Sequence, residues 1–245
     1  MNDHGVLLVD KPSGLTSHDV VGRCRRALGR RDIGHAGTLD PMATGLLVLL
    51  LGQGTKLSDY LLKGDKAYES CVQLGQTTDT DDVTGQALSF HEGSFPHRDD
   101  IIEVAQSMVG PLELRVPHYS AVKVGGQKLY QKARRGEDFI PPLKTMSFSN
   151  LEVLDCQGSQ IRLKFSCSKG SYVRAWAREL GERLGCGGTL AELRRLGSVP
   201  YSVEQAISLE SLEKSPQTSA WGEAWVPMNQ TLPHWPSLKV EGADE

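Results

Sequence analysis

A chain of 245 residues, 39% hydrophobic and 23% charged, has the composition of an ordinary globular protein, with room for one large cored domain or two small ones. Its longest aliphatic run, residues 46–51, is far too short to cross a bilayer, and MNDHGVLLVDKPSG at the N-terminus lacks the basic and long apolar regions of a signal peptide. The net charge of −3 excludes a polyanion partner only until it is mapped, because residues 77–103 and 204–245 carry −6 and −5 and leave 24 basic against 16 acidic residues elsewhere.

GVLLVD reads as a short buried strand and KPSG as the turn after it. Thr16 or Ser17 caps a helix to about Leu28, with Val21, Cys24 and Leu28 on one side. The glycine-rich GHAGTLDPMATG follows, and then LLVLLL as a buried strand. Within that loop Asp40 before Pro41 fits the N-cap and first position of a helix, and equally a carboxylate placed for chemistry. TKLSDYLLKG predicts a short helix. KAYESCVQLG alternates as a strand with Tyr68, Ser70, Val72 and Leu74 on one face. TDTDDVTGQ fails as a calcium loop, since Gly85 falls one place late and Phe90 stands where the bidentate Glu belongs, so it reads as an acidic turn.

DDIIEVAQSMVG predicts an amphipathic helix ending at Gly110. Residues 117–145 are basic and glycine-punctuated, with a short helix around 128–135 and Pro-Pro near the end, the composition of a mobile inserted arm. IRLKFSC alternates with Ile161, Leu163, Phe165 and Cys167 on one face, and Ser171 is placed to cap a helix to about Leu184, closed by Gly185. TLAELRRLG opens on a capping box, Thr189 with Glu192, and reads as an amphipathic helix; Ser202 and Gln205 repeat the device. From about residue 211 the chain turns polar and acidic, which predicts a loosely packed tail. Strands and helices mix without a βαβ rhythm, so the expected class is α+β.

Five scattered cysteines (Cys24, Cys71, Cys156, Cys167, Cys186) include no CxxC pair, so free thiols in a reducing cytoplasm are expected. No P-loop, post-strand GxGxxG, HExxH or GxSxG occurs. His35 lies five residues before Asp40 without further ligands nearby, so no metal is expected. Arginines cluster at 23–31 and 194–195, and Lys128, Lys132, Arg134 and Arg135 form a third group, which suits a polyanion surface. Arg174 falls in the first turn of its helix, against the macrodipole, and calls for a carboxylate partner. Tyr68 reads on its own as a half-buried strand residue. The residues alone reach an α+β protein and leave RNA binding, and chemistry by one Asp, as open readings.

DKPSGLTSHDVV, GHAGTLDPMATGLLVLLLGQGTKLSDYLL, KAYESCVQLGQTTDTDD, PHYSAVKVGGQKLYQKARRG and CSKGSYVRAWARELGERLGCGGTLAELRRLG follow in that order. Together they resemble the TruB family, the bacterial tRNA pseudouridine-55 synthases, over about residues 5–210. The resemblance implies the pseudouridine-synthase fold: a bent mixed β-sheet flanked by helices, a central cleft, and residues 117–145 as a thumb loop that closes on RNA. Longer family members append a PUA domain; here 1–210 is expected as the catalytic domain and 211–245 as an acidic tail, with weaker or more salt-sensitive RNA binding.

The implied reaction isomerises a uridine of the tRNA T loop without cofactor or metal. Asp40 matches the catalytic carboxylate, which either attacks C1′ or removes the 2′ proton. Arg174 matches the arginine that pairs with it. Tyr68 matches the tyrosine that stacks on the uracil and serves proton transfer at C5. His35 matches the histidine inserted into the T loop, and Tyr172 and Leu193 match the base pocket, with Leu193 equally a core leucine. Lys11 and Pro12 read as a structural turn. A cytoplasmic monomer is expected. Two other classes stay open: a tRNA-folding chaperone and a carboxylate-dependent nucleosidase acting on small molecules.

Overall fold

The computed structural model describes residues 3–233, which divide into two units: the chain up to Gly64 with the chain from Leu196 onward, and Asp65–Arg195. The first unit begins with β1 (Gly5–Lys11), whose apolar run is buried on both faces. Helix α1 (Ser17–Leu28) starts at a capping box: the Thr16 hydroxyl accepts the Asp19 N–H at 3.0 Å, and the Asp19 carboxylate accepts the Thr16 N–H at 2.9 Å. Gly29, at φ +63°, ends it in the left-handed conformation that glycine adopts freely. β2 (Ile33–His35) and β3 (Thr44–Leu51) follow, and β3 pairs antiparallel with both β1 and β2. A 3-10 turn and α2 (Ser58–Leu61) close this stretch where a short helix was predicted. Val6, Leu7, Leu8 and Val9 pack with residues 46–51 and with Val20, Val21 and Cys24 in one core.

The second unit opens with β4 (Lys66–Leu74) and a hairpin of β5 (Gln76–Thr78) and β6 (Ala87–Phe90). Then come α3 (Arg98–Ser107) and β7 (Gly110–Arg115). The arm carries the small hairpin β8 (Lys123–Val124) and β9 (Gln127–Lys128), then α4 (Leu129–Arg134). β10 (Leu143–Gln157), β11 (Gln160–Cys167), α5 (Val173–Arg183) and β12 (Gly188–Ser198) complete it. The strand order is β12-β4-β11-β10-β7. Ile161, Leu163, Phe165 and Cys167 are all buried, as their alternation predicts. The Phe165 and Phe148 rings lie 5.3 and 6.2 Å from Trp176 of α5, which holds that helix against the sheet.

Two local expectations are corrected here. TLAELRRLG is strand, not helix: Leu193 and Arg195 are buried while Glu192 is exposed, a two-residue period. Thr189 caps nothing; its hydroxyl lies 3.1 Å from that of Thr78, and Glu192 accepts from Arg162 at 2.9 Å. Sheet pairing overrides the helix preference of Leu, Ala, Glu and Arg. Helix α5 is preceded by Tyr172 in the N-cap position with no side-chain cap, and the Ser171 hydroxyl instead lies 3.1 Å from that of Ser168.

Returning to the first unit, β13 (Tyr201–Ser202) pairs with the last residues of β12. Ser202 and Gln205 do form a capping box, around a 3-10 turn. β14 (Ile207–Ser208) joins β1 in parallel and β15 (Trp225–Pro227) joins it antiparallel, with α6 (Leu209–Lys214) between them. The loose tail expected from residue 211 is therefore corrected as far as residue 233. Leu212, Trp221 and Ala224 are buried in the core, and the Tyr201 hydroxyl donates to the Thr231 carbonyl at 2.7 Å. Acidic composition concealed three apolar anchors. The rest of that predicted tail, 234–245, lies outside the described residues. Mixed parallel and antiparallel pairing with interspersed helices gives the α+β class. Among the described residues no helix is long and apolar enough to cross a membrane.

Candidate functional site

Asp40 caps no helix. Its carbonyl accepts the Ala43 N–H at 3.1 Å, so Asp40, Pro41, Met42 and Ala43 form a tight turn, with Asp40 half-buried. The peptides around it are held from two sides. Ser17, buried at the start of α1, accepts the Leu39 N–H at 2.8 Å and donates to the Leu39 carbonyl at 3.1 Å. From the turn after β1, Lys11 Nζ and the Gly14 N–H both donate to the Pro41 carbonyl, at 3.2 and 2.9 Å. The Ser13 hydroxyl reaches the Met42 carbonyl at 3.1 Å. Gly14 sits at φ +86°, where a side chain would be strained, and that bend aims its N–H at the loop. Lys11 is fully buried, and its ammonium donates to the Pro12 carbonyl as well, at 2.9 Å. KPSG is thus a structural turn, as read, and the structure the turn serves is the Asp40 loop. Ser17 is the residue that sequence reasoning missed; a serine just after a helix cap gives no sign of a partner twenty-two residues on.

His35 ends β2, half-buried, opposite Leu49 of β3, and the Ala36 N–H donates to the Val48 carbonyl at 2.9 Å. The segment from His35 to Asp40 therefore leaves a fixed strand and enters a braced turn.

The other four predicted residues belong to the second unit. Tyr68, half-buried on β4, has its ring 6.5 Å from Phe165, at the edge of the cluster that Phe148 and Trp176 complete. Tyr172 donates its N–H to Met146 Sδ at 3.3 Å, and Lys144 Nζ stands 5.9 Å from its ring centroid. Leu193 is buried on β12. Arg174, the second residue of α5, is also buried. Its Nη1 donates to the Thr80 carbonyl at 2.9 Å and its Nη2 to the Tyr119 carbonyl at 3.1 Å, while Nε lies 3.7 Å from Asp82 Oδ2. Asp82 is a carboxylate of the kind that the unfavourable helix-start position predicted.

The acidic stretch 79–86 is a turn held by its own side chains: Asp79 accepts the Gln86 N–H at 2.8 Å, and Asp82 Oδ1 accepts the Thr84 N–H at 3.0 Å. Asp81 pairs with Arg178. Burial pushes its carboxyl up to about 6, against the pull of Arg178 and Arg174. A cavity of about 560 Å³ opens beside this pair, between the acidic turn, α5 and the root of the arm, with His118, Tyr119 and Phe139 on its wall. Burial holds His118 below the usual imidazole range. Among the described residues no cluster of His, Cys, Asp and Glu has the makings of a metal site.

The family described as TruB family pseudouridylate synthase (N terminal domain) matches residues 25–173. The tRNA pseudouridine synthase B of Bdellovibrio bacteriovorus is 45% identical over 242 residues, 99% of this chain and 79% of that protein. The chain belongs to the TruB family. A second TruB match, tRNA pseudouridylate synthase B C-terminal domain, covers residues 174–226 and so extends past residue 210 into the packed C-terminal stretch. The synthase of Oleidesulfovibrio alaskensis is 42% identical over 99% of this chain and 78% of its own length, and that of Pseudomonas putida strain GB-1 is 39% identical over 98% and 79%. Solved structures agree on the TruB-type fold. A chain of a Cbf5-Nop10-Gar1 complex matches at a TM-score of 0.74 and 28% identity, and this chain covers 62% of its length. A chain of an H/ACA RNP bound to a substrate RNA containing 2′-deoxyuridine matches at 0.71 and 26% identity, with 61% of its length covered.

Proposed function

We propose that this TruB-family chain is a tRNA pseudouridine synthase that isomerises uridine-55 in the T loop of tRNA. The observation that carries the reading is the braced turn at Asp40, in a chain related over nearly its whole length to proteins named tRNA pseudouridine synthase B. A carboxylate held by its own backbone pays no reorganisation cost at the moment of reaction.

The reaction is redox-neutral. The N1–C1′ bond breaks, the uracil turns while enclosed, C5 bonds to C1′, and the C5 proton leaves. Asp40 is the carboxylate that starts it, by attack at C1′ or by taking the 2′ proton. Both routes need it ionised, and Arg174 is the guanidinium proposed to favour that form. Tyr68 is the aromatic platform for the uracil and the group for proton transfer at C5, since stacking tolerates in-plane rotation. Tyr172 and Leu193 line the base, and His35 enters the T loop once the uridine is flipped, which costs a few kcal/mol. No cofactor takes part. The partner is the T stem-loop, bound by a cytoplasmic monomer whose arm, residues 117–145, closes over it. Exposed Arg134, with Lys132 beside it on α4 and Lys128 and Arg135 flanking the helix, supports an RNA-facing arm.

Carbodiimide adduct mapping of an unmodified tRNA transcript incubated with the protein tests the reading. One new reverse-transcription stop, one nucleotide 3′ of uridine 55, is expected; modification at other uridines, or turnover of free uridine instead, contradicts it.

A further inference from the structure

Arg174 has a companion. Arg178 lies one turn further along the same face of α5. Its Nη1 pairs with the Asp81 carboxylate and its Nη2 donates to the Arg115 carbonyl at 2.7 Å. Arg174 takes its own acceptors from the Thr80 and Tyr119 carbonyls. Each guanidinium therefore spans the same two stretches of chain, 80–82 on one side and 115–119 on the other. Neither stretch is regular structure over its full length. Asp81 holds a left-handed backbone, φ +62°, uncommon for a residue with a side chain. Its N–H donates to the Thr78 carbonyl at 3.3 Å and its carbonyl accepts the Leu190 N–H at 3.0 Å.

We propose that Arg178 is a positioning residue for the isomerisation: by anchoring Asp81 and the end of β7, it fixes the Thr80 and Tyr119 carbonyls that orient the Arg174 guanidinium. The proposal rests on the synthase reading above and deepens it. A buried ion pair returns little net stability, because desolvation offsets its Coulomb attraction. Asp81 is 9% and Arg178 20% exposed at the side chain, so their worth lies in where they hold the chain. Arg178 Nε also lies 3.7 Å from Glu182 Oε1, one turn further along α5.

The test is a double-mutant cycle read by single-turnover tritium release from [5-³H]uridine T-arm RNA, with enzyme in excess. Circular dichroism and RNA affinity are measured on each variant. Arg178→Met is expected to slow the chemical step by about 100-fold, the cost of a misplacement of about 1 Å, with RNA affinity within about two-fold of wild type. In an Arg174→Lys background the same substitution is expected to cost less than about three-fold, because the group it positions is already gone. Asp81→Asn, which keeps the side-chain shape and leaves the Arg178 bond to the Arg115 carbonyl in place, is expected to show a loss of about ten-fold and the same non-additivity, and it stands in if Arg178→Met does not fold. A wild-type rate in the single variants, or an equal fold-loss in both backgrounds, overturns the proposal. A wild-type chain that releases no tritium overturns the synthase reading and the proposal with it.

Discussion

At the scale of residues, Asp40 owes its place to its neighbours' peptides. Ser17 satisfies both backbone polar groups of the buried Leu39, so Ser17→Ala leaves a buried donor and acceptor unmatched. We expect a loss of about 1–2 kcal/mol in urea unfolding and about a ten-fold fall in kcat with little change in KM. Asp81 gives a pH-dependent prediction of definite sign. Its folded-state pKa, about 6, stands above the ordinary 3.8, so between those values the folded chain binds a proton that the unfolded chain releases. Its contribution to stability therefore falls as pH rises through that window. The stability of Asp81→Asn relative to wild type should thus be greater at pH 7 than at pH 4, by about 3 kcal/mol at most, in denaturant titrations at the two pH values. Arg174 shows how far sequence reads at this scale. Its place against the helix dipole announced a carboxylate, and Asp82 is near, ninety-two residues away in sequence. Helix position signals that a carboxylate is called for; it carries nothing about which one.

At the scale of elements, most boundaries were legible because caps and periodicity act locally. Thr16 with Asp19 starts α1, and the alternation of 161–167 marks β11. β12 was not legible. Its residues are good helix formers behind a Thr-x-x-Glu pattern, and only its neighbours in the sheet make it a strand. α6 was hidden differently: Leu209 and Leu212 are few among acidic residues, yet both are buried. Leu212→Ala should cost about 2–4 kcal/mol in chemical denaturation, as for a core leucine. A loss below about 0.5 kcal/mol would mean that this stretch packs as loosely as its composition suggested.

At the scale of the whole molecule, charge decides what the chain attracts. The net −3 conceals 24 basic against 16 acidic residues outside two acidic segments, and the arm concentrates part of that excess. Lys132→Ala and Arg134→Ala should each weaken tRNA binding about equally across tRNA species and reduce the slope of log affinity against log salt by about one. Unchanged slopes in filter binding at several salt concentrations would remove the arm from the RNA-facing surface. The synthase reading itself meets its most direct test in tritium release from [5-³H]uridine-labelled tRNA, with wild-type protein and Asp40→Asn side by side. The prediction is release by wild type alone, with both proteins binding tRNA. Release by both, or by neither, would contradict a synthase that works through Asp40.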